Sequence, residues 1–245
     1  MDNALYVGLS RQILLRRELD IVANNIANAD TTGFKVESLM ARAEPAAPAH
    51  TADGPRPVKF VVANGVARDF GQGALRETGG AFDLAIEGEG FFQVQAADGA
   101  RFTRDGRFRL DETGRLVAQT GHPVLGEGGE EIFIDPARGA VSIASDGTLS
   151  QGEERVGKIG VFTFDDLSVL EKVGDNQLRN ASNMPAQAAE RTIVRQGFLE
   201  ASNVNPIVEI TRMIEVNRAY QSISKMMDSE QDLARRSVER LGRVQ

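Results

Sequence analysis

From Pro206 to Leu241 the chain contains no glycine and no further proline. Asn205 offers a side-chain cap, Pro206 suits the first helical position and Glu209 places an acid in the first turn. The stretch therefore predicts one helix of about ten turns. Along it Ile207, Ile210 and Ile214 recur on one face, and Met213, Val216, Tyr220, Ile223 and Met227 on another. A helix with two apolar stripes needs partners on two sides. One can come from the same chain; the other has to come from elsewhere.

The amino-terminal end supplies the first partner. Leu5, Gly8, Gln12, Leu15, Leu19, Val22 and Ile26 fall at heptad spacing, which predicts a helix over 4–28 with a narrow apolar seam, about 37 Å long. Gly33, after Asp30-Thr31-Thr32, is a helix stop. Neither end helix can bury its seam alone, so the two are expected to pair.

Between the ends the period changes to two. Phe82, Leu84 and Ile86 alternate, as do Phe108 with Leu110 and Ile132 with Ile134, and Lys158–Phe164 reads as a further strand. Asp98-Gly99, Asp105-Gly106, Thr113-Gly114 and Asp146-Gly147 punctuate the runs as hairpin turns. The Ala/Pro-rich stretch 40–57 is weakly patterned and reads as linker. The expected fold class is α+β: long terminal α-helices paired as a coiled-coil-like stalk, with a central antiparallel β-rich domain. The expected divisions are an N-terminal helix and Asn-rich turn over 1–35, a linker or extended segment over 36–80, the β domain over 81–198 and the C-terminal helix over 199–245.

Chemistry is hard to find. A net charge of −7 argues against nucleic acid, and with no cysteine there are no disulfides or thiolate sites. No apolar run is long enough to span a bilayer, and the first residues lack the apolar core of a signal peptide. The default compartment is the cytoplasm unless another export route acts. His50 and His122 read as separate surface imidazoles. Gly71-Gln72-Gly73 and Gly88-Glu89-Gly90 lack the third glycine and the helix that a dinucleotide loop requires. The acid pairs Asp111-Glu112, Glu130-Glu131, Glu153-Glu154 and Asp165-Asp166 sit in turns, where nothing raises a carboxylate pKa. The expectation is a protein that is not an enzyme, with no metal, no cofactor and no small-molecule substrate.

One stretch resists this account. "ANNIANADTTGFK", Ala23–Lys35, spends three asparagines where a helix ends, although asparagine is a poor helix former. Asn24, Asn25 and Asn28 lie off the heptad seam, where a short amide suits a close polar contact with a neighbouring helix. The plainer alternative is that they fray the helix ahead of Gly33.

The same stretch is similar to the amino-terminal signature of the bacterial flagellar axial proteins, the rod and hook family. "SNVNPIVEITRMIEVNRAYQSISKMM", 202–227, resembles that family's carboxyl-terminal helix. "FDLAIEGEGFFQV", 82–94, and "RFTRDGRFRLDETGRLVAQTGHPVLG", 101–126, resemble the β region of its longer rod and hook members. The opening "MDNALY" and the late "SKMM" favour the proximal-rod type over the distal-rod type, while Ala29-Asp30 and Gln221 depart from the usual filling.

The resemblance implies a structural part of the basal-body rod, the periplasm-spanning drive shaft. It also implies export by the flagellar type III apparatus without a cleaved signal, with other rod proteins as partners and no insertion into the membrane. The residues expected to bond subunits at the amino-terminal end are Leu15, Leu19, Val22, Asn24, Asn25, Ile26, Asn28, Gly33 and Phe34. At the carboxyl-terminal end they are Asn203, Asn205, Ile210, Met213, Ile214, Val216, Arg218, Tyr220, Ile223 and Met227. Two rivals stand beside this reading. A β-domain binding module with a helical dimerisation stalk would form a closed dimer, and a carbohydrate-active enzyme would need clustered acids in a cleft.

Overall fold

A computed structural model of the chain describes residues 2–43, 47–51, 54–58, 61–182, 184–189 and 192–241. These divide into two compact units: one comprises 1–27, 36–69 and 205–245, the other 28–35 and 70–204.

The first unit carries both long helices, α1 (Asp2–Ala27) and α2 (Pro206–Leu241). The cap of α2 is as expected: Asn205 Oδ1 accepts from the backbone N–H of Ile207 at 3.1 Å and of Val208 at 3.4 Å. The helices lie antiparallel, with Gly8 beside Met227, Gln12 Nε2 donating to Ser224 Oγ at 3.0 Å, and Glu18 paired with Arg212 at 3.0 Å. A Cβ at Gly8 would stand 3.2 Å from Met227 Cγ, so the glycine permits the close approach.

The buried face of α1 is wider than a heptad seam and turned from the one expected. Leu14, Leu15, Ile21 and Val22 are buried, while Leu19 and Ile26 are half-buried. The reason is a second neighbour, because α1 also packs on two strands of the same unit, β1 (Glu37–Ala43) and β4 (Val61–Arg68). These pair antiparallel, and β2 (Ala47–Thr51) pairs with β3 (Gly54–Val58). The stretch read as linker is therefore largely strand. Pro48 stands opposite Pro57 in a two-stranded ladder, where both strands are edges and a missing N–H is tolerated. The side chain of His50 lies outside the described residues.

The second unit is β-rich, as expected. Its main sheet is antiparallel, in the order Leu170–Gly174, Gln177–Asn180, Gly99–Thr103, Phe91–Ala96, Val161–Thr163 and Gln187–Ala188. Phe91, Phe102, Phe162 and Phe164 pack on one another, Phe102 and Phe164 edge to face at 4.8 Å. A separate aliphatic core gathers Leu84, Ile86, Val94, Leu116, Ile132, Ile134, Leu149 and Ile159. Asp98-Gly99, Thr113-Gly114 and Asp146-Gly147 each sit between paired strands. Asp105-Gly106 does not: Gly99–Thr103 and Phe108–Leu110 pair with other strands, and the Gly106 carbonyl accepts from Leu84 N–H instead. His122 is half-buried rather than on the surface, its Nδ1 3.1 Å from both Thr120 Oγ1 and Gln177 Oε1.

Candidate assembly surfaces and the polar anchors behind them

The asparagine-rich turn divides between the two units, and each part ends in a buried polar cluster. In the first unit Asn25 is fully buried. Its amide donates to the Glu37 carbonyl at 2.8 Å and to Glu209 Oε2 at 2.9 Å, and its Oδ1 accepts from Glu37 N–H at 3.0 Å. Glu37 in turn takes a 2.9 Å hydrogen bond from Arg68 Nε. Asparagine suits this position because one short side chain serves a backbone donor, a backbone acceptor and a carboxylate together. Asn25 is thus used inside the chain, which corrects the expectation that it faces a neighbouring subunit. Asn24 is exposed and Asn28 half-buried.

In the second unit Gly33 has φ of +68° and donates its N–H to the Glu200 carbonyl at 2.7 Å. A Cβ there would lie 2.5 Å from the Arg104 backbone, so this turn requires glycine. Phe34 is buried, with Lys172 Nζ 4.9 Å from its ring centre. Next to it stands a charged triad that the sequence reading missed. Glu200, fully buried, accepts from Lys35 Nζ at 2.6 Å, from Arg104 Nη1 at 3.1 Å and from Gly73 N–H at 2.8 Å. Lys35 also donates to the Gly71 carbonyl, Arg104 to that of Gly88, and Asn203 Nδ2 to that of Gly71 at 3.1 Å. Burial pulls the Arg104 guanidinium below its ordinary pKa, and Glu200 works against that pull. Among the described residues, Arg104 Nε is the buried side-chain nitrogen or oxygen without a hydrogen-bond partner. No local pattern in the sequence marks Arg104: Phe102, Thr103 and Arg104 are all buried, so a two-residue alternation does not single it out.

The expected subunit contacts on the helices separate into two groups. Leu15, Val22 and Val216 are buried, and Met213, Tyr220, Ile223 and Met227 are half-buried. Ile210, Ile214, Asn205 and Arg218 are exposed, and Asn203 is half-buried in the second unit. With Ile207 at 77% and Ile214 at 48% exposure, the 207–210–214 stripe of α2 faces outward along its length. A matching stripe on α1 went unread: Tyr6 and Ile13 are each 61% exposed and Leu9 lies between them. Its spacing of three and four residues is a helical signal, lying on a different face from the heptad through Leu5 and Gly8.

The acid pairs lie in or beside turns, with Glu154 opening the strand Glu154–Lys158. Asp111 accepts from the Thr113 hydroxyl and from Arg115, and these bonds hold its carboxyl well below the usual range. A general acid needs the opposite shift. Among the described residues no group of three or more His, Asp or Glu side chains could hold a metal ion, and no helix is long and apolar enough to cross a membrane.

Comparisons with known proteins agree along the chain. A family model described as "Flagella basal body rod protein" matches residues 5–35. "Flagellar hook protein FlgE/F/G D1 domain" matches 85–151, and "Flagellar basal body rod FlgEFG protein C-terminal" matches 195–240. The chain is 59% identical over 244 residues to the "Flagellar basal-body rod protein FlgF" of Caulobacter vibrioides, covering 100% of each chain. It is 37% identical to the FlgF of Mesorhizobium japonicum, over 99% of each. It is 33% identical to the "Flagellar basal-body rod protein FlgG" of Bacillus subtilis, over 95% of this chain and 97% of that one.

Proposed function

The chain belongs to the flagellar basal-body rod proteins and is a structural component of the rod rather than an enzyme; from that premise we propose how it assembles there. The observation that carries the proposal is the outward stripe of Ile207, Ile210 and Ile214 on a helix whose other side is already covered. The paired helices act as a coiled-coil-like stalk that forms the tube, and the outward stripes bond it to adjacent rod subunits. The β-rich unit stiffens the wall, so that torque passes along the rod to the hook instead of being absorbed as twist. A contact that does not close on itself propagates as a helical filament, unlike the closed dimer of a binding module.

The 59% identity to the FlgF of Caulobacter vibrioides, against 33% to the FlgG of Bacillus subtilis, supports a place in the proximal rod. Subunits reach the periplasm through the flagellar type III export apparatus, without cleavage. The test is mass spectrometry of purified hook–basal bodies. The expected result is this chain at a few copies each, with its amino terminus intact. Ile214→Asp should leave the monomer folded and remove the chain from the rod. Normal rods and motility in that variant would refute the role of the stripe.

A further inference from the structure

Asn64-Gly65 is the one Asn-Gly pair in the sequence, and it falls where the β1–β4 ladder shifts register. Met40 stands opposite Gly65 and Ala41 opposite Ala63, so Asn64 is the extra residue of a β-bulge, without a partner across the ladder. Asn64 is exposed, and among the described residues its side chain has no hydrogen-bond partner. Gly65 has φ of +137°, and no atom from elsewhere in the chain lies within 4 Å of where its Cβ would stand.

We propose that Asn64 is a site of spontaneous modification, converted to isoaspartate and aspartate by the backbone nitrogen of Gly65. That nitrogen gives up its proton and bonds Asn64 Cγ, while the Cγ–Nδ2 bond breaks and ammonia leaves with the proton. The product is a cyclic imide. Water then opens the ring at either of its carbonyls. Opening at Cγ leaves aspartate; opening at the backbone carbonyl leaves isoaspartate, whose main chain runs through Cβ and Cγ. Overall one water is consumed and one ammonia released, with no oxidant, metal or enzyme.

The bulge favours this ring closure. Glycine has no side chain to obstruct the attack. Asn64, unpaired, can turn its side chain over its own backbone without breaking a ladder pair. The atom added to the main chain falls where β4 already carries an extra residue. The flanking pairs, Arg42 with Val62 and Leu39 with Val66, therefore keep their register.

Elsewhere the same chemistry is held off. Asn25, Asn176 and Asn180 donate their amides to backbone carbonyls. Asn205 precedes Pro206, which has no N–H to give up. The carboxylates of Asp98-Gly99, Asp105-Gly106 and Asp146-Gly147 could close a similar ring, but Arg101, Arg107 and Thr148 hold them. Each conversion at Asn64 adds one negative charge to the formal −7. No step restores the amide, so the modified fraction rises with the age of the chain.

The test is incubation of purified full-length protein at mildly alkaline pH in water enriched in heavy oxygen, followed by peptide mass spectrometry. The free peptide Val61–Arg68 is the reference, and the heavy oxygen marks only conversions during the incubation. The expected result is an acid at position 64 and none at Asn25, Asn176 or Asn180. The product should accept methyl groups from a protein isoaspartate methyltransferase. Its rate of formation should lie within about tenfold of the peptide's, a protection of no more than about 1.4 kcal/mol. Asn64→Ser should lose the product and keep the original circular dichroism. Intact Asn64 in the folded protein while the peptide converts would overturn the proposal, because the ladder would then be holding the side chain. Methyl acceptance undiminished in Asn64→Ser would overturn it as well, by placing the reactive residue elsewhere.

Discussion

Glu200→Ala is the most informative perturbation of the charged triad. The carboxylate is fully buried and holds Lys35 at 2.6 Å and Arg104 at 3.1 Å, each side chain being no more than 6% exposed. Truncation leaves two buried cations without it and strips the partner from Gly73 N–H. Breaking one side of a buried ion cluster costs about 3–5 kcal/mol, a large share of the ~5–15 kcal/mol that stabilises a domain. The half-exposed pair Glu18–Arg212 makes the control, because such pairs contribute at most about 1 kcal/mol. Urea unfolding followed by circular dichroism reads the difference. With a slope of about 2 kcal/mol per molar, Glu200→Ala should move the midpoint of its unit by about 2 M, and Arg212→Ala by under about 0.5 M. Hydrogen exchange should locate the loss at residues 28–35 and 70–73. Replacing the cluster as a whole, Lys35→Met with Arg104→Met and Glu200→Leu, should restore most of the stability. Equal midpoint shifts for Glu200→Ala and Arg212→Ala would refute the reasoning.

Gly33→Ala should destabilise the second unit by at least about 2 kcal/mol in the same assay, since a left-handed residue gains a Cβ facing the Arg104 backbone. Asn25→Ala should lower the stability of the helical unit by about 3 kcal/mol, because Glu209 and the Glu37 backbone lose a buried partner; thermal unfolding checks it. Asp111 has a folded pKa below its unfolded value of about 3.9. Its contribution is therefore complete above about pH 4 and is lost as the pH falls through the lowered value. Asp111→Asn should flatten the acid limb of the stability–pH curve and lower neutral stability, the two proteins converging at low pH; urea unfolding at a series of pH values checks it.

What was legible in the sequence was what local rules govern. The Asn205 cap, the α2 start at Pro206 and most of the Asp-Gly and Thr-Gly hairpins follow from residues within one turn of each other. Periodicity separates the Ile207–Ile210–Ile214 stripe from the Val216 stripe. Asn25 and Glu200 were out of reach because their partners are remote in the chain: Asn25 meets Glu209 across 184 residues and Glu200 meets Lys35 across 165. β1 to β4 were missed for a different reason. The Ala and Pro content of β2 and β3 is that of a linker, and only a two-stranded ladder, in which each strand is an edge, makes it compatible with strands.

The helical unit is assembled from three separated stretches, 1–27, 36–69 and 205–245. α1 therefore waits for a partner that begins about 180 residues downstream, and closing a loop of that length is slow. In a chain synthesised amino terminus first, the β-rich unit can mature while α1 is still bare. A chain that breaks off before α2 never completes its helical unit. The topology thus makes a finished helical unit a sign that the whole chain is present.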